Sequence, residues 1–174
     1  MQGASSAKLT DEDPMKNTFR LIFAAAFLAI TPAASYAAGS SNDTSSSNPS
    51  VSDMYRDAVR AVKAKEFRMA IKMLNKVIDE QPRHPDALNY LGFSHRKQGD
   101  YARAVSYYKK ALSLDAEHRG ANEYLGQAYV ELGNIAGAEK QLASLEKICG
   151  TRCDEYKSLK QAIDSAKARN AKQG

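Results

Sequence analysis

The sequence predicts an all-α protein, a solenoid of three helix pairs finished by one further capping helix. Three observations lead there. The chain repeats itself every 34 residues from Val51 onward. Beyond residue 50 it is dominated by Ala, Leu, Lys, Glu and Gln, which favour helix, and no stretch alternates apolar and polar residues as a strand would. Each repeat also splits at a turn, where Gly99 and Gly133 recur 34 residues apart.

The register rests on several positions at once. Ala58, Gly92 and Gly126 align, as do Ala70, Ala104 and Ala138. Phe67, Tyr101 and Ile135 form a third set, and Leu74, Tyr108 and Leu142 a fourth. The first helices of the pairs are expected over 51–64, 85–98 and 119–132, and the second over 67–80, 101–114 and 135–148. Gly99 and Gly133 can take the left-handed conformation that ends a helix, with Asp100 and Asn134 capping the next. Lys65-Glu66 occupies the same place in the first unit. Gly92 beside Ala104, and Gly126 beside Ala138, are expected to let paired helices approach closely. Leu91, Leu125, Tyr101, Tyr108 and Leu142 then fill the remaining space.

The unit Leu88…Leu91-Gly92…Gly99-Asp100-Tyr101…Ala104…Tyr108…Ala111 closely resembles the tetratricopeptide repeat. Leu125-Gly126…Tyr129…Gly133…Ala138 does so too. The first unit departs most, with Asp57 where Leu is usual and Lys65 where the turn glycine is usual, but it keeps Ala58, Phe67, Ala70 and Pro82. The resemblance covers 51–152, as units 51–84, 85–118 and 119–152. It implies a right-handed α-solenoid of antiparallel helix pairs with a concave face.

A final helix is expected within 153–170, where Tyr156, Leu159, Ala162, Ile163 and Ala166 make one apolar stripe. Lys157, Lys160, Asp164 and Lys167 back it, as suits a helix covering the open end of a solenoid. Thr151 and Asp154 resemble a capping pair at its start. Cys149 and Cys153, the only two cysteines, flank the turn before it. In an oxidising compartment they are expected to form a disulfide pinning this helix to the third unit. A thiol redox pair or a soft-metal site for Cu(I) is the competing use. No His or Met lies beside the pair, so no metal ligand set is expected.

The N-terminal region reads as an export signal. Met15-Lys16-Asn17-Thr18-Phe19-Arg20 is a basic start, and Leu21–Ile30 is an apolar run too short for the roughly 20 residues a membrane helix needs. Small residues at Ser35 and Ala37 favour cleavage after Ala37, so 1–37 is expected to be removed, with 1–14 upstream of a true start at Met15. Residues 38–50 are Ser-rich with no large apolar side chain, a flexible linker. These features predict a protein of the periplasm or the exterior of a Gram-negative envelope, with no membrane span after cleavage.

The net charge of +5 is spread among acidic residues, as in Lys63, Lys65, Glu66 and Arg68, so no nucleic-acid partner is expected. No phosphate loop, Gly-x-Ser-x-Gly elbow or His-Glu-x-x-His helix occurs, and His84 and His118 are equivalent positions in successive repeats. An enzyme is therefore not expected, nor a catalytic residue or a cofactor. His95 falls at a packing position. The resemblance implies instead a binding groove lined by the first helices, for a protein or peptide partner. Its first unit would offer Tyr55, Arg56, Val59 and Lys63. Its second would offer Asn89, Tyr90, Phe93, Arg96 and Lys97, and its third Glu123, Tyr124, Gln127 and Glu131. Such a groove, basic in the middle and acidic beyond, suits an extended peptide with an acidic stretch. The Lys and Asn pattern that clamps a chaperone C-terminus is absent, those positions being Tyr55, Val59, Tyr90, Gly120 and Tyr124. Two alternatives stand beside this adaptor or scaffold reading: a thiol-redox or copper-handling accessory built on Cys149 and Cys153, and self-association of the solenoid.

Overall fold

A computed structural model describes residues 49–172. The signal segment and most of the Ser-rich linker lie outside the described residues. Seven helices follow one another: α1 (Val51–Lys63), α2 (Phe67–Glu80), α3 (Pro85–Lys97), α4 (Tyr101–Leu114), α5 (Arg119–Glu131), α6 (Ile135–Cys149) and α7 (Asp154–Ala171). No strand occurs among the described residues. Successive helices pack against each other, and α1, α3, α5 and α7 also lie side by side in a row. That is an all-α solenoid.

Local chemistry sets most helix starts. Ser50 accepts a hydrogen bond from the Asp53 N–H (3.2 Å), Asp100 from Arg103 (3.1 Å) and Asn134 from Gly137 (2.9 Å). The equivalent histidines cap too. His84 Nδ1 accepts from the Ala87 N–H at 3.3 Å, and His118 Nδ1 from Ala121 at 3.2 Å. An Nδ1 that accepts carries no proton, so the His118 proton sits on Nε2, which donates to Asp86 at 3.0 Å. His118 thus ties the third repeat to the second.

The three turns within the helix pairs share one backbone shape. Gly99 and Gly133 have φ of 80° and 72°, and Lys65 stands in the same left-handed region at 62°. A side chain there costs about 1 kcal/mol relative to glycine. The Thr151–Asp154 capping pair does not form. Cys153 occupies the cap position of α7 and makes no side-chain cap bond.

Ala58, Ala70, Leu74, Val77, Ala87 and Leu91 are fully buried in one cluster. A second centres on Ala104, Tyr108, Leu125 and Ala128, and a third on Ala138, Leu145, Leu159 and Ile163. The two helix glycines differ from expectation. A Cβ on Gly92 would lie 2.6 Å from Tyr108 of the partner helix α4. A Cβ on Gly126 would instead meet Leu159 of α7 first, at 2.4 Å. The final helix therefore reaches into the third pair itself. His95 is buried, stacked on Tyr107 at 5.4 Å, with Nδ1 3.6 Å from an Asp100 carboxylate oxygen.

Candidate functional site

The side-by-side placement of α1, α3 and α5 aligns their aromatic residues in a row. Tyr55 of α1 and Tyr90 of α3 lie 6.2 Å apart between ring centroids. Phe93 of α3 and Tyr124 of α5 lie 5.1 Å apart. Neither pair joins equivalent positions of the repeat, so the packing of neighbouring first helices is what makes one aromatic strip. His84 joins one end, its ring 4.7 Å from Tyr55, and Phe67 of α2 flanks Phe93 at 6.1 Å. Neither was singled out for this face from sequence. His84 lies in a turn and Phe67 on a second helix, and their approach depends on how the pairs stack.

Arg96 lies within this strip. Its guanidinium carbon is 5.6 Å from the ring centroids of both Phe93 and Tyr124. Its Nε is buried without a hydrogen-bond partner, and no carboxylate of the described residues lies within ion-pair distance of it. The Lys97 ammonium is 5.3 Å from the Phe93 ring. Two cations therefore gather at one aromatic patch in the middle of the row. Beneath it, the buried Tyr108 hydroxyl also lacks a partner.

The other expected groove residues are placed unevenly. Val59 is half-buried and Lys63 is exposed at the end of α1. Arg56 is exposed and paired with Asp53 on its own helix. Asn89 corrects the expectation. It is 5 % exposed, with its amide nitrogen 3.3 Å from where a Gly120 Cβ would be, so it packs between α3 and α5 instead of facing a groove. Its Oδ1 has no partner. The small Gly120 on the facing helix is what admits it.

The third unit is closed by α7. Gln127 donates to Glu123 at 2.9 Å and to Ser158 of α7 at 3.1 Å, and Glu155 of α7 faces Arg119 at 3.8 Å. Burial pushes the Glu123 carboxyl above its ordinary range, opposed by the hydrogen bond with Ser158. Burial likewise raises the phenols of Tyr55 and Tyr124, helped by Asp86 and Tyr90 for the first and by Glu123 and Tyr90 for the second. Burial thus favours the neutral form of all three side chains. A shallow cleft outside this strip is lined by Lys65, Glu66, Phe67, Arg68, Met69 and Gln98. It touches the strip only through Phe67.

Cys149 ends α6 and Cys153 precedes α7, with Gly150 (φ 74°) turning the chain between them. Their Cα atoms are 5.9 Å apart and their sulfurs are in contact. Sequence reasoning looked for a third donor among His and Met and found none. The structure places the Glu155 carboxylate there, all three donor atoms lying within 4.8 Å of one another.

Comparison with known proteins matches this architecture. A tetratricopeptide-repeat family model covers residues 55–116, and a second model of the same description covers 95–163. Heat shock protein STI1 of Saccharomyces cerevisiae is 38% identical over 65 residues, 37% of this chain and 11% of that protein. FK506-binding protein-like of Mus musculus is 30% identical over 64 residues, 37% of this chain and 18% of its own length. The chain therefore corresponds to less than a fifth of either relative. Among solved structures, the first TPR of Spaghetti (RPAP3) bound to HSP90 peptide SRMEEVD superposes with a TM-score of 0.62 at 19% identity, over 68% of this chain and 93% of that one. The Yersinia enterocolitica type III secretion chaperone SycD, in complex with a peptide of the translocator YopD, gives 0.61 at 18%, over 74% and 98%. The Sgt2 TPR domain of Aspergillus fumigatus gives 0.63 at 19%, over 73% and 84%. At these identities the likeness is one of fold.

Proposed function

The chain belongs to the tetratricopeptide-repeat family, and we propose that it is a protein-interaction adaptor binding an extended peptide segment of a partner across α1, α3 and α5. The observation that carries this reading is Arg96, a cation held between Phe93 and Tyr124 with no carboxylate partner of its own. An acidic side chain of the ligand would complete it, and the Tyr55–Tyr90 pair would receive a neighbouring apolar side chain. Arginine and tyrosine dominate binding energies because they bury large, stiff surfaces with a polar tip. Peptide complexes of the RPAP3 repeat and of SycD, on the same fold, support this choice. No part of the proposal involves catalysis.

The partner is proposed to be met in the periplasm or outside the cell. The basic start and ten-residue apolar run of 15–30 support that location, and the mature chain would begin at Ala38. There Cys149 and Cys153 would be joined, stapling α7 to α6. N-terminal sequencing of protein from a fractionated envelope checks the first point, and alkylation before reduction checks the second.

The decisive test is crosslinking of the mature protein in its native envelope, followed by affinity measurements on the captured partner. Arg96→Ala and Tyr90→Ala should each weaken binding by about 30-fold, the equivalent of roughly 2 kcal/mol for a residue of this kind. Unchanged capture by both variants would show that the partner does not use this face.

A further inference from the structure

We propose that Cys149, Cys153 and Glu155, in the dithiol state of the protein, form a site for one thiophilic divalent cation of the zinc or cadmium class. This goes beyond the adaptor reading and uses none of the groove residues. The fold brings the three donors together through two helix ends. Cys149 is the last residue of α6, the turn at Gly150 reverses the chain, Cys153 caps α7 and Glu155 lies in its first turn. The donor atoms already lie within 4.8 Å of one another. A tetrahedral zinc with thiolates at about 2.3 Å needs donors about 3.8 Å apart, so once the sulfur–sulfur bond is reduced the two sulfurs must swing apart to that spacing, with the carboxylate already beside them.

The donor types select the ion. Two thiolates suit Zn, Cu(I) and other soft ions, but a carboxylate oxygen is a poor ligand for Cu(I) and an ordinary one for zinc. The third donor therefore moves the site away from copper. All three residues are half-buried, which leaves room for water in the fourth position. Cys153 stands at the N-terminal end of α7, the end of a helix that favours negative charge. Glu155 also faces Arg119, but at 3.8 Å this is a loose contact that a bound cation would outcompete.

The chemistry balances simply. A disulfide holds no lone thiolate for a cation. A dithiol or phosphine reductant supplies two electrons, and two protons are taken up to give the thiols. Binding of the cation then releases two thiol protons and forms two metal–sulfur bonds. Crosslink and cation are mutually exclusive occupants of one turn.

The test uses the full chain reduced with a phosphine and titrated anaerobically with Cd²⁺. A thiolate-to-metal charge-transfer band should grow in the ultraviolet and stop at one cation per chain, while the oxidised protein gives none. Glu155→Gln should weaken binding at least about ten-fold, since even outer-shell groups carry that much. Cys149→Ser should abolish the band, and the oxidised–reduced comparison needs no variant that could misfold. Absence of the band in the reduced chain, one cation shared by two chains, or unaltered affinity in Glu155→Gln would each overturn the proposal.

Discussion

The second and third repeats solve one packing problem in two ways. Each carries a glycine midway along its first helix, at Gly92 and Gly126. In the second repeat the space above the glycine is filled from within, by the fully buried ring of Tyr108 on α4. In the third the equivalent of Tyr108 is Leu142, which is shorter and only half-buried. The space is taken by Leu159, a residue of α7. One repeat fills the gap over its own glycine, and the other has it filled by the next helix along. Glycine sets the close approach in both, but the volume of a side chain on the second helix decides which element arrives.

This difference predicts unequal consequences. Tyr108→Ala should cost about 4 kcal/mol, as for other buried aromatics, and lower the denaturant midpoint of the whole array. Leu159→Ala should cost about 3 kcal/mol, but the loss should begin locally. Hydrogen exchange would accelerate first in α7 and the facing turns of α5, with α1–α4 still protected. Uniform acceleration along the chain would mean that α7 is no more separable than the other helices.

Acidity should act on the second repeat. Burial lowers the proton affinity of His95, and the Asp100 carboxylate only partly opposes it. The unfolded chain therefore binds the proton more readily than the folded one. Stability should fall as pH drops below about 6.5, the ordinary histidine value, and level off once His95 is protonated in the fold as well. A denaturation series from pH 7.5 to 5, repeated on His95→Gln, isolates this contribution as the part of the slope that the variant loses.

The smallest expected effect concerns the turns. Lys65 holds the left-handed conformation that Gly99 and Gly133 hold in the other units. Lys65→Gly should stabilise by about 0.5–1 kcal/mol, and Gly99→Ala should destabilise by a similar amount. Nothing lies within 4 Å of a Cβ at Gly99, so backbone conformation alone would be measured. A destabilised Lys65→Gly would show that the lysine side chain contributes something the turn geometry does not.

Much of this molecule is visible in its residue order. The 34-residue spacing locates every helix pair, because each helix is held by hydrogen bonds four residues apart and each turn by one left-handed residue. The caps at Asp100 and Asn134 and the apolar stripe of α7 are equally local, and so readable. The spacing places these aromatics on the first helices, but the contacts join Tyr55 to Tyr90 and Phe93 to Tyr124, which are not equivalent positions, so helix packing chose the pairs. What packing alone decided involves volumes and angles between helices. Asn89 leaves the presumed groove because Gly120, on another helix, makes room for it. Glu155 joins the cysteines because a turn folds back on itself, bringing α7 against α6. Leu159 reaches Gly126 because Leu142 does not fill the space that Tyr108 fills one repeat earlier. The order of residues determined which elements form and in what register. Which side chain fills each gap was settled only by tertiary contact, because filling depends on every neighbour's size at once.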